Sequence, residues 1–275
     1  MDLTVRSQAG TTLAGERSGE GTPVVLLHGL TATRRYVVMG STALQRSAHE
    51  VIAYDARGHG ASDPAPTSAS YRYEDLVGDL LAVLDSLELS RAVLAGASMG
   101  AHTALSFALR HPERVAALAL ITPSYDPEAP HDATLAGWDA LAHGLREGGV
   151  EGFLSAYDFS HVADEWRPTI ERVIRQRLGA HEHPLAVADA LEVVPRSEPF
   201  ETLSELRTLS MPVVVLASRD EADPAHPLVV GERYAEAIPG SRLIVERAPP
   251  PLRSPIAWQG GQLSNLIAEL AQATR

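Results

Sequence analysis

The chain has 275 residues, of which 45% are apolar and 21% charged, and its formal net charge is −12. That length accommodates one large α/β domain with a sizeable core, and the composition is too rich in apolar residues for a disordered chain. The acidic balance disfavours nucleic acid and anionic membranes as partners, and the absence of cysteine excludes disulfides, thiolate catalysis and Cys-based metal sites.

The first residues carry no basic stretch followed by an apolar one, and no apolar run approaches the ~20 residues that span a bilayer. The expectation is a cytoplasmic protein with a small-molecule partner; its oligomeric state has no sequence signature. Residues 2–6 and 11–15 read as a β-hairpin turning at Gly10. A continuous apolar run follows at 24–27, framed by Pro23 and Gly29, and similar runs recur at 51–54, 92–95, 115–121 and 213–217, with a weaker one at 243–245. Strands that are apolar on both sides are covered on both faces, as in a parallel sheet between helices. Residues 74–87 place Leu76, Val77, Leu80, Leu81, Leu84 and Leu87 at helical spacing. Further helices are predicted at 99–109, stopped by Pro112, at 228–238, stopped by Pro239-Gly240, and at 256–270.

Strand–helix alternation with short links predicts right-handed crossovers and a doubly wound, mostly parallel α/β sheet. The alternation breaks between Thr122 and Leu206, a stretch too long for a loop in a compact domain. Four short helices are predicted there, at 133–146, 150–157, 166–178 and 184–193. The domain reading is therefore a core of residues 1–121 and 207–275, with 122–206 as an inserted helical cap over the strand C-termini.

Gly96-Ala97-Ser98-Met99-Gly100 carries the chemistry. It follows a buried strand and opens a helix, which is the context a G-x-S-x-G nucleophile elbow requires. The two glycines allow close strand–helix approach, and the bend lifts the Ser98 hydroxyl to a helix N-terminus, where the dipole favours developing negative charge. The loop His28-Gly29-Leu30 follows another strand. The backbone N–H of Leu30, together with that of Met99, is a candidate oxyanion donor, with Gly29 and Trp258 as candidate substrate contacts. His28, His59 and His102 read as structural. His181 and His183 lack a third ligand at recognisable spacing, so no metal site is assigned.

His28-Gly29, then Tyr54-Asp55-Ala56-Arg57-Gly58-His59-Gly60-Ala61-Ser62, then Gly96–Gly100 resemble the α/β-hydrolase superfamily in order and spacing, in the branch of esterases, lactonases and haloperoxidase-like enzymes. The resemblance implies that fold, a Ser98 nucleophile, no metal or organic cofactor, and an acid after the strand at 213–217. Asp220 occupies that position, with Asp223 as the alternative. The family's base is a histidine after the last strand, but no histidine occurs after His226. A serine hydroxyl is a poor nucleophile without a positioned base. His226 is the leading substitute, with His161, His181 and His183 as alternatives. Trp258, Gln259, Glu246 and Arg247 occupy the region of the missing histidine.

The activity expected is hydrolysis of a small carboxylic ester, lactone or related acyl compound by Ser98, Asp220 and His226. The incomplete triad leaves two other readings open: a non-acylating lyase, isomerase or cyclase, and a catalytically silent ligand-binding protein on the same fold.

Overall fold

A computed structural model provides the structure of the chain; it describes residues 1–129, 132–220, 223–247 and 258–274. Among the described residues, eight strands form one sheet: β1 Asp2–Arg6, β2 Thr12–Ser18, β3 Thr22–Leu27, β4 His49–Tyr54, β5 Ala92–Ala97, β6 Val115–Ile121, β7 Val213–Ala217 and β8 Arg242–Val245. Their spatial order is β1-β2-β4-β3-β5-β6-β7-β8. The first hairpin turns through Gly10 at φ +88° and pairs antiparallel with β4; the pairs from β4 through β8 are parallel. This is the doubly wound, mostly parallel sheet expected.

The reason the strands read as unbroken apolar runs is visible in their alternation. Val25, Leu27, Ile52, Leu94, Leu120 and Val215 pack on one face of the sheet. That face is covered by helices α2 (Tyr73–Ser86), α3 (Met99–Arg110) and α7 (Leu228–Ala237). Val24, Leu26, Ala53, Val93, Ala119 and Val214 pack on the other, against the short α1 (Ala43–Arg46) and α8 (Gly260–Gln272). With both faces covered, most side chains of the central strands β3 to β7 are removed from water, at about 1.5–3 kcal/mol for a Val- or Leu-sized group. No polar position is then tolerated in the run. The last helix starts at Gly260; residues 256–257, which the sequence reading gave to it, lie outside the described residues.

Between β6 and β7 run α4 (Asp132–Ala156), α5 (Arg167–Leu178) and α6 (Pro184–Val193). The two helices predicted at 133–146 and 150–157 are both present as the two halves of α4, separated by a non-helical break at Gly149 (φ 57°, ψ −143°). The break folds the two halves against each other: a Cβ on Gly144 would lie 2.4 Å from the Gly152 carbonyl oxygen. Side chains of these helices, among them Leu145, Phe153, Ile174, Leu178 and Val187, pack on Leu30, Ala56, Tyr71, Tyr73, Leu76 and Met99. The insertion is thus seated on the loops that leave β3, β4 and β5.

The chain reaches β4 on one side of β3 and then crosses to β5 on its other side. The strand order reverses at the C-terminal ends of β3 and β5. A crevice opens at such a switch point in open α/β sheets, and ligands bind there.

Candidate active site

Ser98 occupies the bend between β5 and α3 with φ 50° and ψ −115°. Positive φ is costly for a side-chain-bearing residue, so the surroundings must enforce it. Two hydrogen bonds and two close glycine approaches do so. The Ser98 N–H donates to the Ile121 carbonyl at 2.9 Å, and its carbonyl accepts the His102 N–H at 3.0 Å. A Cβ on Gly96 would stand 2.1 Å from the Gly100 carbonyl oxygen, and one on Gly100 would stand 2.1 Å from that of Leu27. Only glycine at both positions lets the strand turn this sharply into the helix.

The loop after β7 supplies the partner groups. His226 Nε2 lies 2.9 Å from Ser98 Oγ. Its Nδ1 lies 2.9 Å from both carboxylate oxygens of Asp223. A carboxylate accepts only, so Nδ1 carries the proton there and Nε2 is left as the acceptor for the serine hydroxyl. The Asp223 carbonyl also accepts the His226 N–H at 3.1 Å, which closes the turn Asp223-Pro224-Ala225-His226.

Asp220, the acid that the family pattern suggested, is placed differently. Its Oδ1 accepts the N–H of Leu228 at 2.7 Å and so satisfies the first turn of α7. It therefore orders the helix start, and the imidazole is left to Asp223. The signal that separates them is local: Asp223 and His226 stand three residues apart, each followed by a proline, a spacing that folds one onto the other.

The loop after β3 lies against the bend. A Cβ on Gly29 would come within 3.3 Å of the Ala97 carbonyl oxygen and 3.4 Å of Ser98 Cβ. Among the described residues, the N–H groups of Leu30 and Met99 donate to no protein backbone group. Thr31, at φ 65°, turns the chain away. His28 fixes this loop: its Nδ1 donates to the Gly29 carbonyl at 2.8 Å, and its Nε2 accepts the Ala56 N–H at 2.9 Å. Burial pushes the His28 pKa down to about 3, so the ring stays neutral and keeps that tautomer. His181 Nδ1 accepts the Gly60 N–H at 2.8 Å, and its Nε2 donates to the Thr31 carbonyl at 3.0 Å. Arg177 reaches the same loop from α5: its Nη2 lies 3.0 Å from the Leu30 carbonyl and 2.9 Å from Thr31 Oγ1. Sequence reasoning missed Arg177, which is 147 residues from Leu30 and belongs to no motif.

Several other candidates have structural placements. His102 Nε2 accepts the N–H groups of Ser124 and Tyr125, and its Nδ1 pairs with the Tyr73 hydroxyl. Its pKa falls to about 3, chiefly by burial. His59 Nδ1 pairs with the Arg57 carbonyl, and Arg57 itself grips Asp79 through two 2.7 Å bonds. Trp258, read from the sequence as a substrate contact, is 7% exposed and packs in the core layer beneath α8. An indole belongs there because the hydrophobic gain of covering it outweighs one unmet N–H. Glu246 is buried and bonds Arg219, and Gln259 caps α8. His161 is exposed and His183 precedes α6. Among the described residues no group of three or more His, Asp or Glu is arranged to hold a metal ion, and no helix is long and apolar enough to cross a membrane.

Comparison with known proteins points one way. The family model for the alpha/beta hydrolase fold matches residues 22–172. A Pseudomonas syringae protein provisionally named a carbamate hydrolase is 30% identical over 223 residues, covering 81% of this chain and 83% of its own. A Mycobacterium phage D29 protein provisionally named a non-heme haloperoxidase is 36% identical over 152 residues, and the match spans 53% of each chain. The solved structure of a thermophilic esterase from Thermogutta terrifontis, with malate bound, aligns with a TM-score of 0.75 at 25% identity, over 99% of this chain and 96% of that one. The family match includes His28 and Ser98 and ends before the loop that carries Asp223 and His226.

Proposed function

The chain belongs to the alpha/beta hydrolase family, and from that membership we propose a serine hydrolase acting on small carboxylic esters, lactones or related acyl compounds. The observation that carries this reading is the 2.9 Å contact between His226 Nε2 and Ser98 Oγ, with Asp223 on the opposite ring nitrogen. Acid and base then both come from the loop after β7, and the nucleophile elbow supplies the hydroxyl. The contact supports acyl chemistry over the non-acylating and silent-binding readings, because those were motivated by a hydroxyl with no base in reach.

The reaction follows from the geometry. Ser98 Oγ attacks the substrate carbonyl as its proton passes to His226 Nε2. Asp223 stabilises the imidazolium and holds the ring in the acceptor tautomer. The Leu30 and Met99 N–H groups receive the oxyanion; each such donor is worth about 2.7–4 kcal/mol of barrier in comparable sites. The tetrahedral adduct collapses, the leaving alkoxide takes the proton from His226, and an ester remains on Ser98. Water, deprotonated by the same imidazole, then releases the acid and restores the hydroxyl. No metal or organic cofactor enters these steps. The helical insertion would act as a cap that limits substrate size.

Hydrolysis of a neutral ester such as 4-nitrophenyl butyrate tests the reading. Ser98→Ala should lower kcat by a factor on the order of 10^4–10^6, and His226→Ala by a comparable factor, since members of a triad act as a unit. Hydrolysis at the parent rate in Ser98→Ala would refute the assignment.

A further inference from the structure

Arg177 is the exception among the covered arginines of this protein. Each of the other buried or half-buried arginines among the described residues has a carboxylate within ion-pair distance, as Arg57 has Asp79 and Arg146 has Asp189 and Glu192. Arg177 has none. Its polar partners are neutral, the Leu30 carbonyl and the Thr31 hydroxyl, and its guanidinium carbon stands 5.8 Å from the Tyr36 ring centroid. Its Nε–H is buried with no partner. Burial disfavours its charge; the groups that favour it are Tyr36, Tyr157 and Asp223. Asp223 is the only carboxylate among them, and both of its oxygens face His226 Nδ1.

An unmatched, desolvated cation is costly, and proteins tolerate one where a ligand supplies the counter-charge. The location specifies the ligand. Arg177 Nη2 bonds the carbonyl of the residue whose N–H is the proposed oxyanion donor. Backbone N and O of one residue lie within about 3.6 Å, so with one hydrogen bond added the guanidinium comes within about 7 Å of that N–H. A group there lies a short alkyl spacer from the carbonyl under attack. The net charge of −12 repels anions at long range, so a local cation beside the reacting centre acts as a selective element. Its planar fork suits a carboxylate in particular.

We propose that Arg177 is a specificity residue that binds a carboxylate on the substrate, so that the preferred substrates are esters or lactones carrying a free carboxylate a short spacer away from the scissile carbonyl. The proposal rests on the reading of Ser98 and the Leu30 amide as the reacting centre.

A binding experiment separates it from that reading. Monomethyl glutarate and methyl pentanoate differ only by a carboxylate in place of a methyl group. Titrated calorimetrically into the Ser98→Ala protein, the acid ester should bind at least about tenfold more tightly, the scale of a charge-assisted hydrogen bond. The preference should shrink with added salt, fall in Ser98→Ala/Arg177→Lys, which keeps the charge without the fork, and vanish in Ser98→Ala/Arg177→Gln. Equal or weaker binding of the acid ester to Ser98→Ala would overturn the proposal and leave Arg177 as a brace of the Leu30 loop. Survival of the full preference in both Arg177 variants would also overturn it. Neither result depends on turnover, so failure of ester hydrolysis is read separately.

Discussion

Two carboxylates three residues apart in the loop after β7 divide the labour between chemistry and folding. Asp223 faces the imidazole and Asp220 faces the Leu228 N–H. Their substitutions should therefore separate activity from stability. Asp223→Asn preserves volume but presents an amide to Nδ1, favours the wrong tautomer and should cost kcat a factor on the order of 10^4, with little change in urea midpoint. Asp220→Ala should leave kcat within about threefold and lose about 1 kcal/mol of stability, the usual cost of a lost helix N-terminal acceptor. Steady-state kinetics and urea titration of the two variants check this. A large kcat loss in Asp220→Ala with full activity in Asp223→Asn would reverse the assignment. Both aspartates were visible in the sequence as candidates. The family pattern put Asp220 first and passed over the three-residue spacing of Asp223 and His226; side-chain direction, which the start of α7 sets, decides between them.

At the scale of elements, local signals were legible and long-range ones were not. The parallel strands were read from unbroken apolar runs, and the helices from three-and-four spacing. Gly96 and Gly100 announced the bend because no other residue fits a backbone approach that close. Gly149 stood between two predicted helices and breaks α4 at that position. The four-residue α1 was missed, since one turn has no periodicity to detect. Trp258 was drawn toward the site by its proximity in sequence to the usual histidine loop, whereas its apolar bulk seats it under α8. Arg177, His181 and the Leu30–Thr31 loop meet across some 150 residues, and nothing in a one-dimensional pattern brings them together.

For the molecule as a whole, buried histidines set the response to acid. His28 and His102 have pKa values pushed down to about 3, His59 lies well below its ordinary value and His181 is lowered, in each case chiefly by burial. In the unfolded chain these rings take a proton near pH 6.5. Below pH 6.5, and down to about 3 for His28 and His102, these rings bind more protons in the unfolded state than in the native one, so stability rises with pH and is lost on acidification. Each fully neutral ring contributes up to about 1.4 kcal/mol per pH unit across that window. Against a total of about 5–15 kcal/mol for a typical domain, these rings alone suffice to drive acid unfolding. Urea midpoints should fall steadily from pH 7 to pH 5; a midpoint that is flat or rises on acidification would contradict this. The same burial keeps His28 and His181 neutral, which preserves the hydrogen bonds that shape the loop facing Ser98.

The most direct test of the account is the reaction of the intact protein with a fluorophosphonate, followed by mass spectrometry. One equivalent of label is expected, located on Ser98, at a rate that drops by at least about a hundredfold in His226→Ala, because a serine hydroxyl needs its general base to attack. Absence of labelling in the parent protein, or an undiminished rate in His226→Ala, would contradict it.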